Sequence, residues 1–122
     1  MDSASRSLQA LLRILHEIEW DLPGAPLNLT VQYVGDAQAY QAHSPGRDQP
    51  FTPTGLRDPA FGNTGPIEFS DVESVIVHCK PRSGATSEEY QAKFEAFRAR
   101  VGHISGILVS PAAVEFNRRV VP

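Results

Sequence analysis

The strongest chemical signal in the sequence is a histidine and a lysine two residues apart near the end of a β-branched run, Val75-Ile-Val-His-Cys-Lys80. The run from Val72 to Lys80 predicts a strand. The pleat of a strand then sends Ser74, Ile76, His78 and Lys80 to one face and Val75, Val77 and Cys79 to the other. One face therefore ends polar. A lysine ammonium is a point charge suited to an oxyanion or a phosphate, and a histidine beside it serves as metal ligand or proton carrier. A carboxylate to join them would come from Glu68 on the preceding extended segment, or from Asp71 or Glu73.

Other residues with reactive side chains have plainer readings. Cys79 falls on the core-facing side of the strand with no charge beside it, as a small buried hydrophobe does. His16, His43 and His103 show no ligand spacing. Ser44, Ser83 and Ser110 lack the glycines of a nucleophile elbow. Gly62-Asn-Thr-Gly65 lacks the lysine of a phosphate loop and reads as a turn. Composition narrows the class further. With 122 residues, a net charge of −3 and 41% apolar residues, residues 1–122 make a single domain. One cysteine excludes an internal disulfide. No window approaches the ~18 apolar residues of a membrane span, and the start carries no basic run before an apolar stretch, so the expected location is the cytoplasm. Eleven basic residues against fourteen acidic ones exclude nucleic-acid binding by bulk charge alone.

The elements that must position the strand end follow from periodicity. Leu8, Leu11, Leu12, Leu15 and Ile18 recur at helical steps, predicting a helix over 5–18 capped by Ser3 or Ser5 and ended by Asp21-Leu-Pro-Gly-Ala-Pro26. Residues 27–34 alternate and predict a half-buried strand. Residues 35–66 hold five prolines and five glycines and read as a long loop, with a short strand near 37–42. Tyr40, Phe51 and Phe61 in that loop point to docking, on a second copy or another protein. Thr86-Ser-Glu-Glu89 has capping-box spacing, and Tyr90, Phe94, Phe97 and Val101 form the buried stripe of a helix over 87–101 that Gly102 stops. Ile104–Ser110 reads as a short buried strand, and Pro111 as the first turn of a last helix through Val114, Phe116 and Arg119. Strand 72–80, helix 87–101 and strand 105–109 have the lengths of a crossover unit, which expects the two strands parallel and adjacent. The expected fold is α/β (α+β), a mixed central sheet flanked by helices in the order α-β-(β)-β-α-β-α.

The segments Val75–Lys80 and Gly106-Ile-Leu-Val-Ser-Pro-Ala-Ala-Val-Glu-Phe116 resemble the core of the restriction-endonuclease-like superfamily, in particular its Mrr-like branch. Some fifty residues carry that likeness, and the rest agrees by element order only. Carried onto this chain, the resemblance implies a domain acting on or binding nucleic acid. Lys80 matches the family lysine, His78 stands where the family has Glu, Asp or Gln, and Glu68 is the upstream acid. Glu68 and His78 would then hold a divalent ion, magnesium or manganese. Histidine in place of a carboxylate weakens that site or leaves it inactive. The same element order also resembles two non-nuclease groups. Phage tail-terminator-like proteins are non-catalytic ring subunits, and in them the long loop would be a subunit contact; the chain after the second helix is shorter than that fold usually needs. Dimeric α+β barrel proteins of ferredoxin-like fold share the strand, turn, helix and strand of Lys80 to Val109, but this chain lacks their initial strand.

Overall fold

The computed structural model describes residues 2–18, 25–35, 38–43, 70 and 72–122, with the backbone alone for those among 33–43. The described chain runs α1 (Ser3–Glu17), β1 (Leu27–Gly35), β2 (Gln38–His43), β3 (Ser74–Pro81), α2 (Ser87–Val101), β4 (Ile107–Ser110) and β5 (Ala113–Asn117), then one turn of 3-10 helix at Arg118–Val120. The class is α+β. The strands form one five-stranded sheet in the order β2-β1-β3-β5-β4, with β3 at its centre.

In α1, Leu8, Leu11, Leu12 and Leu15 are fully buried, as their spacing requires. The helix starts earlier than expected. Its cap is Asp2, whose carboxylate accepts from the Ser5 N–H at 2.7 Å. Ser5 is itself buried, and its hydroxyl accepts from Arg118 Nη2 at 3.3 Å. Arg118 also donates from Nη1 to Asp2 at 3.2 Å and from Nε to the Val72 carbonyl at 2.9 Å. The end of the chain is thereby tied to its first helical turn. The hydrogen bond from the Ser5 backbone, with help from Arg118, holds the Asp2 carboxyl below its ordinary pKa.

Helix α2 forms where its signals lie. Thr86 Oγ1 accepts from the Glu89 N–H while the Glu89 carboxylate accepts from the Thr86 N–H, each at 3.1 Å. Tyr90, Phe94, Phe97 and Val101 are buried, and the Tyr90 and Phe94 rings stack with centroids 5.9 Å apart. This stripe shares one core with α1 and with Leu27, Leu29, Val31, Val75, Val77, Cys79, Val114 and Phe116. Alternate residues of three strands thus face both helices on one side of the sheet. Between them on the other side, Asn28, His78 and Lys80 are exposed, and Thr30, Gln32, Ile76, Ala113 and Glu115 are half-buried.

After α2 the chain departs from expectation. All four neighbouring strand pairs are antiparallel, so the sheet is not mixed. The expected last helix is a strand, β5, because Val114 and Phe116 are buried at a spacing of two. Pro111 serves instead in the two-residue turn of a hairpin, where its fixed φ suits the first central position as well as it suits a helix start. β5 takes the place beside β3 that was expected for the strand over 105–109, and β4 becomes the edge of the sheet. β4 is therefore mostly exposed instead of buried.

Gly106 makes the entry to β4 possible. Its φ is +86°, and a Cβ there would meet Val121 Cγ2 at 2.5 Å and the Asn117 carbonyl oxygen at 3.2 Å. Gly106→Ala should therefore destabilise the protein by ~1–3 kcal/mol from backbone strain alone, measured by urea unfolding, whereas Ala substituted at the exposed Gly102, whose φ is −63°, should cost less.

Candidate functional site

Thr30 pairs with His78 and Asn28 with Lys80 across β1 and β3, and Ala113 of β5 lies opposite His78 on the other side. The period of two, anchored by the buried Val75, Val77 and Cys79, turns His78 and Lys80 to the face away from the helices. Both are exposed. The adjoining turn places a third nitrogen-bearing side chain at the same corner: Arg82 Nε donates to Asn28 Oδ1 at 3.1 Å, and the Arg82 N–H donates to the Pro26 carbonyl at 2.8 Å. This corner combines imidazole, ammonium and guanidinium, a set able to receive an anion.

Of the expected site residues the structure brings together His78 and Lys80. Glu68 lies outside the described residues, as does Asp71. Glu73 is turned to Arg119, with 2.7 Å between Oε1 and Nη2. Glu115 sits on the same face as His78, one row along, opposite Ile76. Among the described residues, no three or more His, Cys, Asp or Glu side chains are grouped to hold a metal ion. The loop aromatics Phe51 and Phe61 also lie outside the described residues, and Tyr40 is described by its backbone only.

Cys79, between the two polar residues in sequence, points into the core and is buried. Burial pushes its thiol up to about 12. Its carbonyl accepts the Tyr90 hydroxyl at 3.1 Å, which fastens α2 to β3. Burial also raises the Tyr90 hydroxyl.

No family model matches the chain, and no curated protein or solved structure matches it significantly.

Two features escaped the sequence. One is the Arg118 clasp, whose partners Asp2 and Ser5 lie more than a hundred residues away. The other is the exposure of the uncharged strand β4. Leu108 is 46% and Val109 39% exposed.

The buried thiol gives a sign-definite prediction. An acid whose pKa is raised on folding stabilises the fold below its unfolded value and loses that contribution as pH climbs toward the folded value. For Cys79 the window runs from 9.0 to about 12. Stability should fall as pH rises past 9.0, and less steeply in Cys79→Val. In the parent, a thiol reagent at pH 8 should label Cys79 only at the rate of unfolding, measured by mass spectrometry.

Proposed function

We propose that this chain is a non-catalytic assembly subunit that works through contacts with other copies of itself, in the manner of phage tail-terminator-like ring proteins. The observation that carries the reading is the position of β5 between β3 and β4. The expected parallel unit of strand, helix and strand does not form, since the neighbour of β3 is the antiparallel β5, and the last element expected to be a helix is a strand. The order of helix, strand, long excursion, strand and helix is common to the ring proteins. The exposed apolar residues of β4 give such a protein something to assemble with.

A second reading, a metal-dependent nuclease with Lys80, His78 and Glu68 at its centre, is favoured by the shared exposed face of His78 and Lys80. In that reading Lys80 stabilises charge on the scissile phosphate, while Glu68 and His78 hold a magnesium or manganese ion that activates water.

One set of experiments separates the two. Sedimentation velocity should show the purified chain as an oligomer. Protein free of host nucleases, assayed with magnesium or manganese on single- and double-stranded DNA and RNA, should cut no faster than Lys80→Ala. His78→Glu, which restores a carboxylate pair in the nuclease reading, should create no activity. A monomer with metal-dependent cleavage that Lys80→Ala abolishes would overturn the assembly proposal in favour of the nuclease.

A further inference from the structure

Among the described residues the β4 edge of the sheet is open, and its backbone pattern selects its own partner. The Asn117 N–H donates to the Gly106 carbonyl at 3.0 Å, which makes Gly106 and Asn117 a hydrogen-bonded pair of the β4–β5 ladder. In an antiparallel ladder such pairs alternate, so with the observed register Leu108 and Ser110 spend their N–H and C=O groups on β5. Ile107 and Val109 aim theirs outward. An edge of this kind is a template for another strand, and proteins commonly guard it with charge. This one has no charge: residues 104–114 contain no Asp, Glu, Lys or Arg, in a chain that is 20% charged.

From this edge we infer that β4 pairs with β4 of a second copy, antiparallel and about a two-fold axis at Leu108. The inference rests on the self-assembly reading and supplies one of its contacts. Three observations choose the occupant and the register. First, β2 and β4, the two edges of the described sheet, run in the same direction, since an even number of antiparallel steps separates them. A sheet continued head to tail with the helices of both copies on one face would need a parallel joint between them, whereas β4 against β4 keeps the helices on one face and continues the antiparallel pattern of every other pair. Second, only the register centred on Leu108 sets Ile107 against the partner's Val109, and Val109 against the partner's Ile107, so that all the outward groups are satisfied. A register shifted toward the C-terminus sets Ile107 against Pro111, which has no N–H. A shift toward the N-terminus uses residues before Gly106, whose φ of +86° breaks the extended chain. Third, the uncharged segment meets its own copy with no like-charge repulsion.

In this pairing the two Leu108 side chains are directly opposed in a non-hydrogen-bonded pair, the closer of the two pair types. They lie on the open face, and Ile107 lies beside the partner's Val109 on the helix side. The joint is isologous, so a closed ring built with it holds an even number of copies.

The direct opposition of Leu108 makes a charge-exchange test possible. Molar mass is measured by light scattering at about 0.5 mM protein, where even a Kd of ~0.1 mM leaves most chains paired. Leu108→Lys and Leu108→Glu should each lower the mass of the parent assembly, to the monomer from a dimer and to the dimer from a larger closed ring, while mixing the two variants in equal amounts should restore it. Thermal unfolding by circular dichroism verifies that both variants fold, and Val120→Lys, at an exposed residue outside β4, should leave the mass unchanged. A parent oligomer whose mass survives both Leu108 variants would overturn the pairing and leave the self-assembly reading standing. Loss of mass in both variants without restoration on mixing would place β4 in an interface of another symmetry and also overturn the pairing. A parent that runs as a 13.3 kDa monomer at this concentration would overturn both.

Discussion

Strand β3 hydrogen-bonds to β1 along one side and to β5 along the other, and the rest of the fold depends on this double pairing. A central strand must bury alternate residues on whichever face is covered, and Val75, Val77 and Cys79 meet that demand against α1 and α2. The intervening His78 and Lys80 are then driven to the opposite face by geometry alone. With both sides of β3 occupied, the hairpin partner of β5 has no place except the edge. The polar corner and the open edge thus have a common origin.

The covering of one face by two helices also explains how the chain ends are held. α1 reaches the sheet across the β5 side, and Arg118, just past β5, bonds to the Asp2 carboxylate, the Ser5 hydroxyl and the Val72 carbonyl. One guanidinium joins the start of α1 to the entry of β3, two segments that no local rule relates. Its planar fork suits this work better than a lysine would. At the other end of the helix layer, an ion pair between Arg100 and Glu17 joins α2 to α1.

Much of this was legible in the sequence where the physics is local. The capping box at Thr86 and Glu89, the stripe from Tyr90 to Val101 and the alternation in β1 and β3 all depend on neighbours within a few residues. The hairpin was not legible for a physical reason. Proline at position 111 fixes a φ common to helix starts and turns, and Ile107-Leu-Val109 has the composition of a buried strand whether or not a further strand covers it. Burial at β4 is decided by which strand takes the place beside β3, a non-local outcome. The same limit applies to the site. The period of two sufficed to put His78 and Lys80 on one face, but the approach of a carboxylate depends on Glu68, outside the described residues. The sequence reading offers Ser3 or Ser5 as the cap, whereas the cap is Asp2, a residue of an equally good capping type. The choice follows from the burial of Ser5 beneath Arg118.

The measurement that bears most directly on this account is the pattern of backbone Hα–Hα nuclear Overhauser contacts around β3. The Cys79 N–H donates to the Ala112 carbonyl at 2.9 Å, which by alternation makes His78 and Ala113, and Ile76 and Glu115, the closely spaced non-hydrogen-bonded pairs of the β3–β5 ladder. Cross-peaks between the Hα atoms of those two pairs are the predicted result. Their absence, with backbone contacts from residues 75–79 to residues 105–109 in a parallel pattern instead, would contradict the antiparallel sheet and the reading built on it.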